Sequence, residues 1–515
     1  MHTLFLEVFK NKLSAVAEEM GTVLQRTAFS PNIKERKDLS CALFTKNGEL
    51  IAQAEHIPVH LGSMASAVKE VIKSVEFEEG DTVILNDPYR GGTHLPDITL
   101  IAPLFHKGEL LLFVANRAHH ADVGGVSAGS MPLASSLFQE GIVIPPIKLI
   151  KGGKIEQDVL DFILSNVRTP KEREGDLLAQ VMACKTGIRR LEELLGELGK
   201  ERFLELCEEL SAYGERLMKS ALQKIPPGEY SFEDFLEDDG MGARDVAIRV
   251  EVKALSDRVV VDFSRSDPQV RGPMNAPRSV TLSATYYVFR CLLPEDSPAV
   301  EGCFRPIEVI TRKGTVVDAI FPYPVSGGNV ETSQRIVDVL LGALAKALPD
   351  TVPAASQGTM NNVAIGGIDL KRDKPFTYYE TLGGGMGAWA GGDGESAVHS
   401  HMTNTMNTPV EALEHAYPFL VRECSVRRGS GGEGKKKGGD GIIREIEFLT
   451  DVEVTVLSER RRIPPYGLFG GKEGKVGRNV LVDEKGTHEM PGKFSVRVSK
   501  GTRLRIETPG GGGYA

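Results

Sequence analysis

Two apolar runs, Ile98-Thr-Leu-Ile-Ala-Pro-Leu-Phe105 and Glu109-Leu-Leu-Leu-Phe-Val-Ala115, flank Lys107-Gly108 and predict an antiparallel hairpin. Its register decides which side chains meet at the open end. A two-residue turn sets Asp97 opposite Ala118, one position from His119, and one residue's change in the loop sets Asp97 opposite His119 itself. In either register His94 and Asp97 enter beside His119, His120 and Asp122. Pro103 has no N–H to give a ladder, so it suits an edge or a bulge better than the middle of a central strand. A second hairpin joins residues 38–44 to residues 49–54 through Asn47-Gly48, a dipeptide suited to the positive φ angles of a type I′ turn. It brings Asp38 across from Ile57 and close to Glu55 and His56.

Histidine nitrogens and carboxylate oxygens at neighbouring strand ends suit a divalent ion, and this donor set without thiolate satisfies zinc, manganese or iron. An open position on such an ion would lower the pKa of a water enough for hydrolysis at neutral pH, a Lewis-acid reading. The same histidines could instead cap strands or hydrogen-bond within a core, and the residues alone leave both readings open. His56 and His60 are four apart, but Pro58 prevents a regular helix, so they read as a loop lining the site or as packing. His399 and His401 would share a face if extended, giving a second ligand surface, or would lie in a hydrogen-bonded polar loop.

The chain's 515 residues exceed one ordinary domain. The reading is an α+β, multi-domain protein with mixed and antiparallel sheets and a helical segment. Residues 1–225 form an N-terminal metal-site domain, 226–420 a central α/β substrate-site domain, and 421–515 a C-terminal β-rich region. Pro226-Pro227-Gly228 marks the first boundary. Helices are expected over residues 1–30, from a Thr169 cap with Pro170 to near Gly199, and over 201–224, 280–293 and 332–348. The net charge of −9 argues against nucleic-acid binding through overall charge. Six scattered cysteines without a C-x-x-C pair argue against a disulfide framework and fit the cytoplasm. No apolar run approaches a membrane span, and charges interrupt the N-terminal stretch, leaving no signal-peptide core.

A phosphate loop is rejected. Gly429-Ser-Gly-Gly-Glu-Gly434-Lys435-Lys436 lacks the final hydroxyl and the following helix, and Gly383-Gly-Gly-Met-Gly387 lacks a dinucleotide-binding context. Arg460-Arg461-Arg462 reads as an anion contact or a solvated face.

Longer motifs carry a family resemblance. Glu35-Arg-Lys-Asp-Leu-Ser-Cys-Ala-Leu43, Ala54-Glu-His-Ile-Pro-Val-His-Leu-Gly-Ser-Met64 and Asn86-Asp-Pro-Tyr-Arg-Gly-Gly-Thr-His-Leu-Pro-Asp97 come first. Ala118-His-His-Ala-Asp-Val-Gly-Gly125, Ser430-Gly-Gly-Glu-Gly434 and the glycine-rich tail follow in the same order. Together they resemble the hydantoinase B family, which includes subunits or parts of N-methylhydantoinase, 5-oxoprolinase, caprolactamase and acetone carboxylase. The resemblance implies one divalent metal, zinc or manganese and by donor chemistry also iron, held by Asp38, His94, Asp97 and His119. It leaves His120 and Asp122 as supporting or proton-transferring catalytic residues. It also implies a hydantoinase A type partner that binds ATP, which this chain does not, in a hetero-oligomer with two copies of each subunit. The expected activity is opening of a hydantoin or lactam ring after the partner phosphorylates it. The alternatives are an alpha-type subunit of an ATP-dependent ketone carboxylase and a non-catalytic structural partner.

Overall fold

The computed structural model describes residues 2–54 and 57–515. Its first sheet holds β1 (Leu39–Thr45), β2 (Leu50–Gln53), β3 (Thr82–Leu85), β4 (Asp97–His106), β5 (Glu109–His119), β6 (Ile147–Lys151) and β7 (Lys154–Ile155). The spatial order is β2-β1-β5-β4-β3-β6-β7, so the 98–115 hairpin lies at the centre. Lys107 (φ 53°) and Gly108 (φ 79°) both adopt the left-handed conformation of a two-residue type I′ turn. The register set by the turn, His106 opposite Glu109, shifts at a bulge between Leu104 and Phe105, and Asp97 then faces His119. Pro103 sits beside this bulge in an interior strand. β3 pairs only with residues 99–101 of β4, so the missing N–H falls beyond that ladder.

The first hairpin differs from expectation at its turn. Only Gly48 has positive φ (79°), and Thr45 bonds Gly48 and Glu49, giving a longer loop than a type I′ turn. A type I turn closed by a left-handed glycine accommodates the extra residue. Glu55 and His56 lie outside the described residues. β1 pairs on its other edge with β5, Leu39 opposite Ala118, which sets Asp38 at the same end as Asp97 and His119.

Helix His2–Thr27 packs on helix Pro170–Leu198, and Lys200–Leu222 follows almost without a break. Pro170 occupies the first turn as expected, but Thr169 makes no capping bond with its side chain. The second sheet contains β8 (Gly228–Asp238), β9 (Arg244–Ala254), β10 (Val259–Asp262) and β11 (Ile307–Ile310), of which β10 and β11 run parallel. Helices Arg278–Arg290 and Ser333–Ala345 pack together, the latter against β8 and β9. Every residue of Ser333–Ala345 is buried, so it is a core helix without a solvated face.

The chain then makes β12 (Asn362–Asp369), β13 (Lys374–Glu380), β14 (Phe419–Arg427), β15 (Gly441–Phe448) and β16 (Val452–Leu457). β17 (Arg478–Asp483), β18 (Gly486–Met490), β19 (Lys493–Val498) and β20 (Arg503–Glu507) complete the strands. They are dealt into two antiparallel sheets, β13-β12-β16-β19 and β14-β15-β20-β17-β18. One apolar core runs from Phe9 to Leu457, and a second, including Val363, Phe419 and Ile506, lies between the last two sheets. The structure is thus α+β with four sheets among the described residues. No described helix is long and apolar enough to cross a membrane.

At two loops the structure takes one of the two arrangements expected. Arg460 is buried and bonds Asp234 (2.7 Å) and Asp338 (2.6 Å), while Arg461 bonds Asn361 and Asn479. These two arginines tie β8, the core helix and the last strands together instead of forming a solvated face. Residues 399–401 are not extended, since His401 has φ 58°. They form a polar loop, the second of the two arrangements expected for them.

Candidate metal centre

Three strand ends build the site. Asp38 precedes β1, Asp97 opens β4 and His119 closes β5. His94 arrives on the loop before β4. The side chain of Asn86 pins that loop by donating to the carbonyls of Leu95 (2.8 Å) and Ile142 (3.0 Å) and accepting from the Ile144 N–H (2.7 Å). Gly91 (φ 89°) turns the chain where a side chain would collide with the backbone of Ala67 at 2.5 Å. These contacts account for the Asn86-Asp-Pro-Tyr-Arg-Gly-Gly-Thr-His motif.

The resulting group is compact and buried. His94 Nε2 lies 3.2 Å from His119 Nδ1 and 3.2 Å from Asp97 Oδ1, and the third side, His119 Nδ1 to Asp97 Oδ1, is 3.3 Å. Ligand atoms around one ion with bonds near 2.1 Å stand roughly 3.0–3.4 Å apart, so the triangle fits a divalent ion. Two features orient it. His94 Nδ1–H points to the Ser326 carbonyl at 3.4 Å, which leaves the Nε2 lone pair facing inward. The other oxygen of Asp97 accepts from Thr93 Oγ1 (2.5 Å) and Asn329 Nδ2 (3.5 Å) and lies 3.3 Å from His60 Nε2, which keeps Oδ1 for the ion.

Charge coupling agrees with this geometry. Burial disfavours a charged His94, but Asp97, with Asp38 and Glu140, outweighs it and raises the pKa. Burial also opposes ionisation of Asp97, yet His94 and His60 hold the carboxyl well below the usual range. Burial wins at His119 and lowers it. The imidazole of His119 stacks on Tyr379 (4.5 Å, 13°), whose other neighbour is the Arg36 guanidinium.

Asp38 stands next to the triangle. Its carbonyl accepts from the His119 N–H (3.0 Å), and its carboxylate is 4.0 Å from Arg36. Among the described residues, the three-residue group with mutually close ligand atoms is His94, Asp97 and His119. His120 and Asp122 are not brought to it. Successive residues point to opposite sides of a strand end, so His120 faces helix Pro170–Leu198, where Nε2 bonds Gln180 Oε1 (2.9 Å). Asp122 accepts from the backbone of Gly124, Gly129 and Arg168 and from the Arg168 guanidinium, and so fixes the loop after β5.

Sequence reasoning missed Thr93, Glu140, Asn329 and Tyr379. Glu140 is fully buried, with its pKa pushed up to about 7 by desolvation, and it accepts from the N–H groups of Val325 and Ser326 (2.9 and 2.8 Å). It therefore positions the carbonyl that orients His94. Pro324-Val-Ser-Gly-Gly-Asn329, a polar glycine pair just before a helical pattern, is the available signal.

His401 gives a direct pH prediction. Burial drives its pKa down to about 4. The unfolded chain takes up a proton near pH 6.5 that the folded ring refuses until about 4, so stability is kept above 6.5 and lost as the pH falls through that window. The loss from this group is about 2 kcal/mol at pH 5. His401→Gln should reduce the difference in unfolding free energy between pH 7.5 and pH 5 by that amount, measured from denaturant midpoints. An unchanged pH dependence would show that His401 protonates inside the fold.

A buried imidazole and carboxylate triangle on an α+β scaffold defines a class of site that could hold a metal ion, and comparison places the chain further. The chain belongs to the Hydantoinase B/oxoprolinase family, whose profile matches residues 3–515. It is 39% identical over 526 residues to a 5-oxoprolinase from Dictyostelium discoideum, covering 99% of this chain and 40% of that protein. It is 32% identical to a putative D-/L-hydantoinase B-type subunit from Pseudomonas sp. strain NS671, covering 99% of this chain and 89% of that one. Among solved structures it matches the ATP-dependent caprolactamase from Pseudomonas jessenii with a TM-score of 0.93 and 30% identity, over 100% of this chain and 91% of that chain. The chain thus spans about 40% of the length of the 5-oxoprolinase it matches and most of the length of the other two.

Proposed function

We propose that this chain is the metal-dependent subunit of an ATP-dependent cyclic amide hydrolase that opens a hydantoin or lactam ring. The observation that carries the reading is the buried His94, Asp97 and His119 triangle in a chain matched over its length to relatives named for hydantoin, 5-oxoproline and caprolactam chemistry. His94, Asp97 and His119 would hold one divalent ion, zinc, manganese or iron, with Asp38 beside them. Such an ion would supply Lewis acidity and make a water acidic enough to act at neutral pH.

The protein's own residues prepare that chemistry. Thr93, His60 and Asn329 hold Asp97 by one oxygen, Ser326 holds His94 by Nδ1, and Tyr379 fixes the plane of His119. All three triangle residues are no more than 3% exposed, so bulk water is kept from the group and its electrostatics act in a low dielectric. A partner of hydantoinase A type would bind ATP and activate the amide oxygen by phosphorylation, in an assembly with two copies of each subunit.

The test is reconstitution with such a partner and a panel of hydantoin, 5-oxoproline and ε-caprolactam. Ring opening should proceed with release of ADP and phosphate, stop on chelation and return with zinc or manganese. Full activity in metal-free protein would favour a structural partner instead, and dependence on bicarbonate would favour carboxylation.

A further inference from the structure

Residues 326–331 reach all three members of the triangle. The Ser326 carbonyl faces His94 Nδ1 (3.4 Å), and Asn329 Nδ2 donates to Asp97 Oδ2 (3.5 Å). The third route is longer and ends at His119. Glu331 Oε1 accepts from Asn362 Nδ2 (2.7 Å), and Asn362 Oδ1 accepts from the Tyr379 hydroxyl (2.7 Å). The Tyr379 ring then stacks on the His119 imidazole (4.5 Å, 13°). Glu331, Asn362 and Tyr379 are each no more than 1% exposed.

The direction of each bond is fixed by its surroundings. Asn362 Nδ2 also donates to the Leu457 carbonyl (2.9 Å), which only accepts, so Oδ1 is the amide atom turned to Tyr379. Glu331 Oε1 accepts from the Met360 N–H as well (2.9 Å). The segment that carries Glu331 is itself clamped. Residues 328–332 form one turn of π-helix, in which Gly328 N–H bonds the Pro273 carbonyl (2.9 Å) and Thr332 Oγ1 donates to the Met274 carbonyl. A methyl group on Gly328 would meet the Asn275 carbonyl oxygen at 1.8 Å. Desolvation pushes the Glu331 carboxyl up to about 8, so near neutral pH its Oε1 serves as an uncharged acceptor.

The two histidines of the triangle are held in different ways. His94 has a carbonyl at its far nitrogen, whereas His119 Nε2 is buried without a hydrogen-bond partner among the described residues. A ligating imidazole is ordinarily oriented through that second nitrogen. For His119 the task falls to the face of Tyr379, so whatever fixes Tyr379 fixes the ligand. Arg36 touches Tyr379 at its carbonyl (3.0 Å) and ring (5.2 Å), and neither contact involves the hydroxyl. We infer that Glu331 is a positioning residue for the metal centre, setting the plane of His119 through Asn362 and Tyr379. This role rests on the metal reading proposed above and assigns part of that centre to a side chain outside the triangle.

The test measures zinc affinity of the purified chain by competition with a fluorescent chelator, beside the unfolding midpoint of the metal-free protein. Tyr379→Phe keeps the stacked ring and both Arg36 contacts and removes only the hydroxyl. It should weaken zinc binding about tenfold, the low end of the range for groups that orient ligands. Glu331→Met removes the acceptor and should cost the same factor, while Glu331→Gln keeps a neutral acceptor and should bind within about twofold of wild type. Because one chain of contacts carries the effect, the Glu331→Met, Tyr379→Phe double variant should bind no more weakly than either single variant. Glu331→Asp, which draws the carboxyl back by a methylene, replaces Glu331→Met if the latter does not fold. Unchanged zinc affinity in Tyr379→Phe or in the Glu331 variant, or losses that multiply to about 100-fold in the double variant, would overturn the positioning role and leave the metal reading standing. A wild-type chain that binds no zinc would overturn both.

Discussion

Asp97→Asn is expected to empty the proposed metal site and abolish the proposed ring opening without unfolding the chain. The substitution keeps the shape and the contacts with Thr93 and Asn329 but removes the one anion between His94 and His119. Two neutral imidazoles remain, with only the neighbouring Asp38 carboxylate, already 4.0 Å from Arg36, to assist them, too little to hold a divalent ion tightly in a buried site. Loss of outer partners alone costs about 10–100-fold in metal affinity, so loss of the carboxylate should exceed 100-fold. Thr93→Val provides the graded comparison, since it removes only the 2.5 Å bond to Asp97 Oδ2 and should fall inside the 10–100-fold range. Metal per chain, measured by plasma mass spectrometry after chelating resin, should drop from about one toward zero in Asp97→Asn. Circular dichroism should stay at wild type. Asp97→Asn protein that retains stoichiometric metal would remove the triangle from the mechanism.

The hairpin makes much of this centre legible from sequence, because alternation and a tight turn are local rules. Those rules alone bring Asp97 and His119 within one residue of each other, and what they leave open is the bulge at Leu104, which nothing short of packing decides. The same rules place Ser333–Ala345 and Arg278–Arg290 to within a few residues. What they do not supply are contacts between segments hundreds of residues apart. Asn329 meets Asp97 across 232 positions, and Arg36 meets the Tyr379 carbonyl across 343. His120 shows the complementary failure. Adjacent histidines read as one cluster, but the pleat sends them to opposite sides, and only the position of the Gln180 helix reveals it.

The glycine-rich tail gives the other large effect. Residues 510–513 thread between four further segments, bonded backbone to backbone through Gly432 N to Gly511 O (2.8 Å), Gly511 N to Gly439 O (2.9 Å), Gly512 N to Ala355 O (2.8 Å), Ala388 N to Gly512 O (2.9 Å) and Leu468 N to Gly513 O (2.9 Å). None of these four tail glycines has a positive φ, so the demand is for space rather than for an unusual conformation. A methyl group at Gly511 would sit 1.9 Å from the Met386 carbonyl oxygen, and one at Gly512 would sit 2.0 Å from that of Tyr466. Rigid backbone on both sides cannot yield without breaking the bonds just named. Overpacking together with lost buried hydrogen bonds should make Gly511→Ala destabilising by about 3–5 kcal/mol. Gly196 is the contrast: it lies inside helix Pro170–Leu198 with open space around it, and Gly196→Ala should stabilise by about 0.5–1 kcal/mol. Opposite shifts in the denaturation midpoint are therefore expected from the same chemical change. A midpoint for Gly511→Ala within error of wild type would mean that the tail is not interleaved with the 431–439 and 385–388 segments in solution.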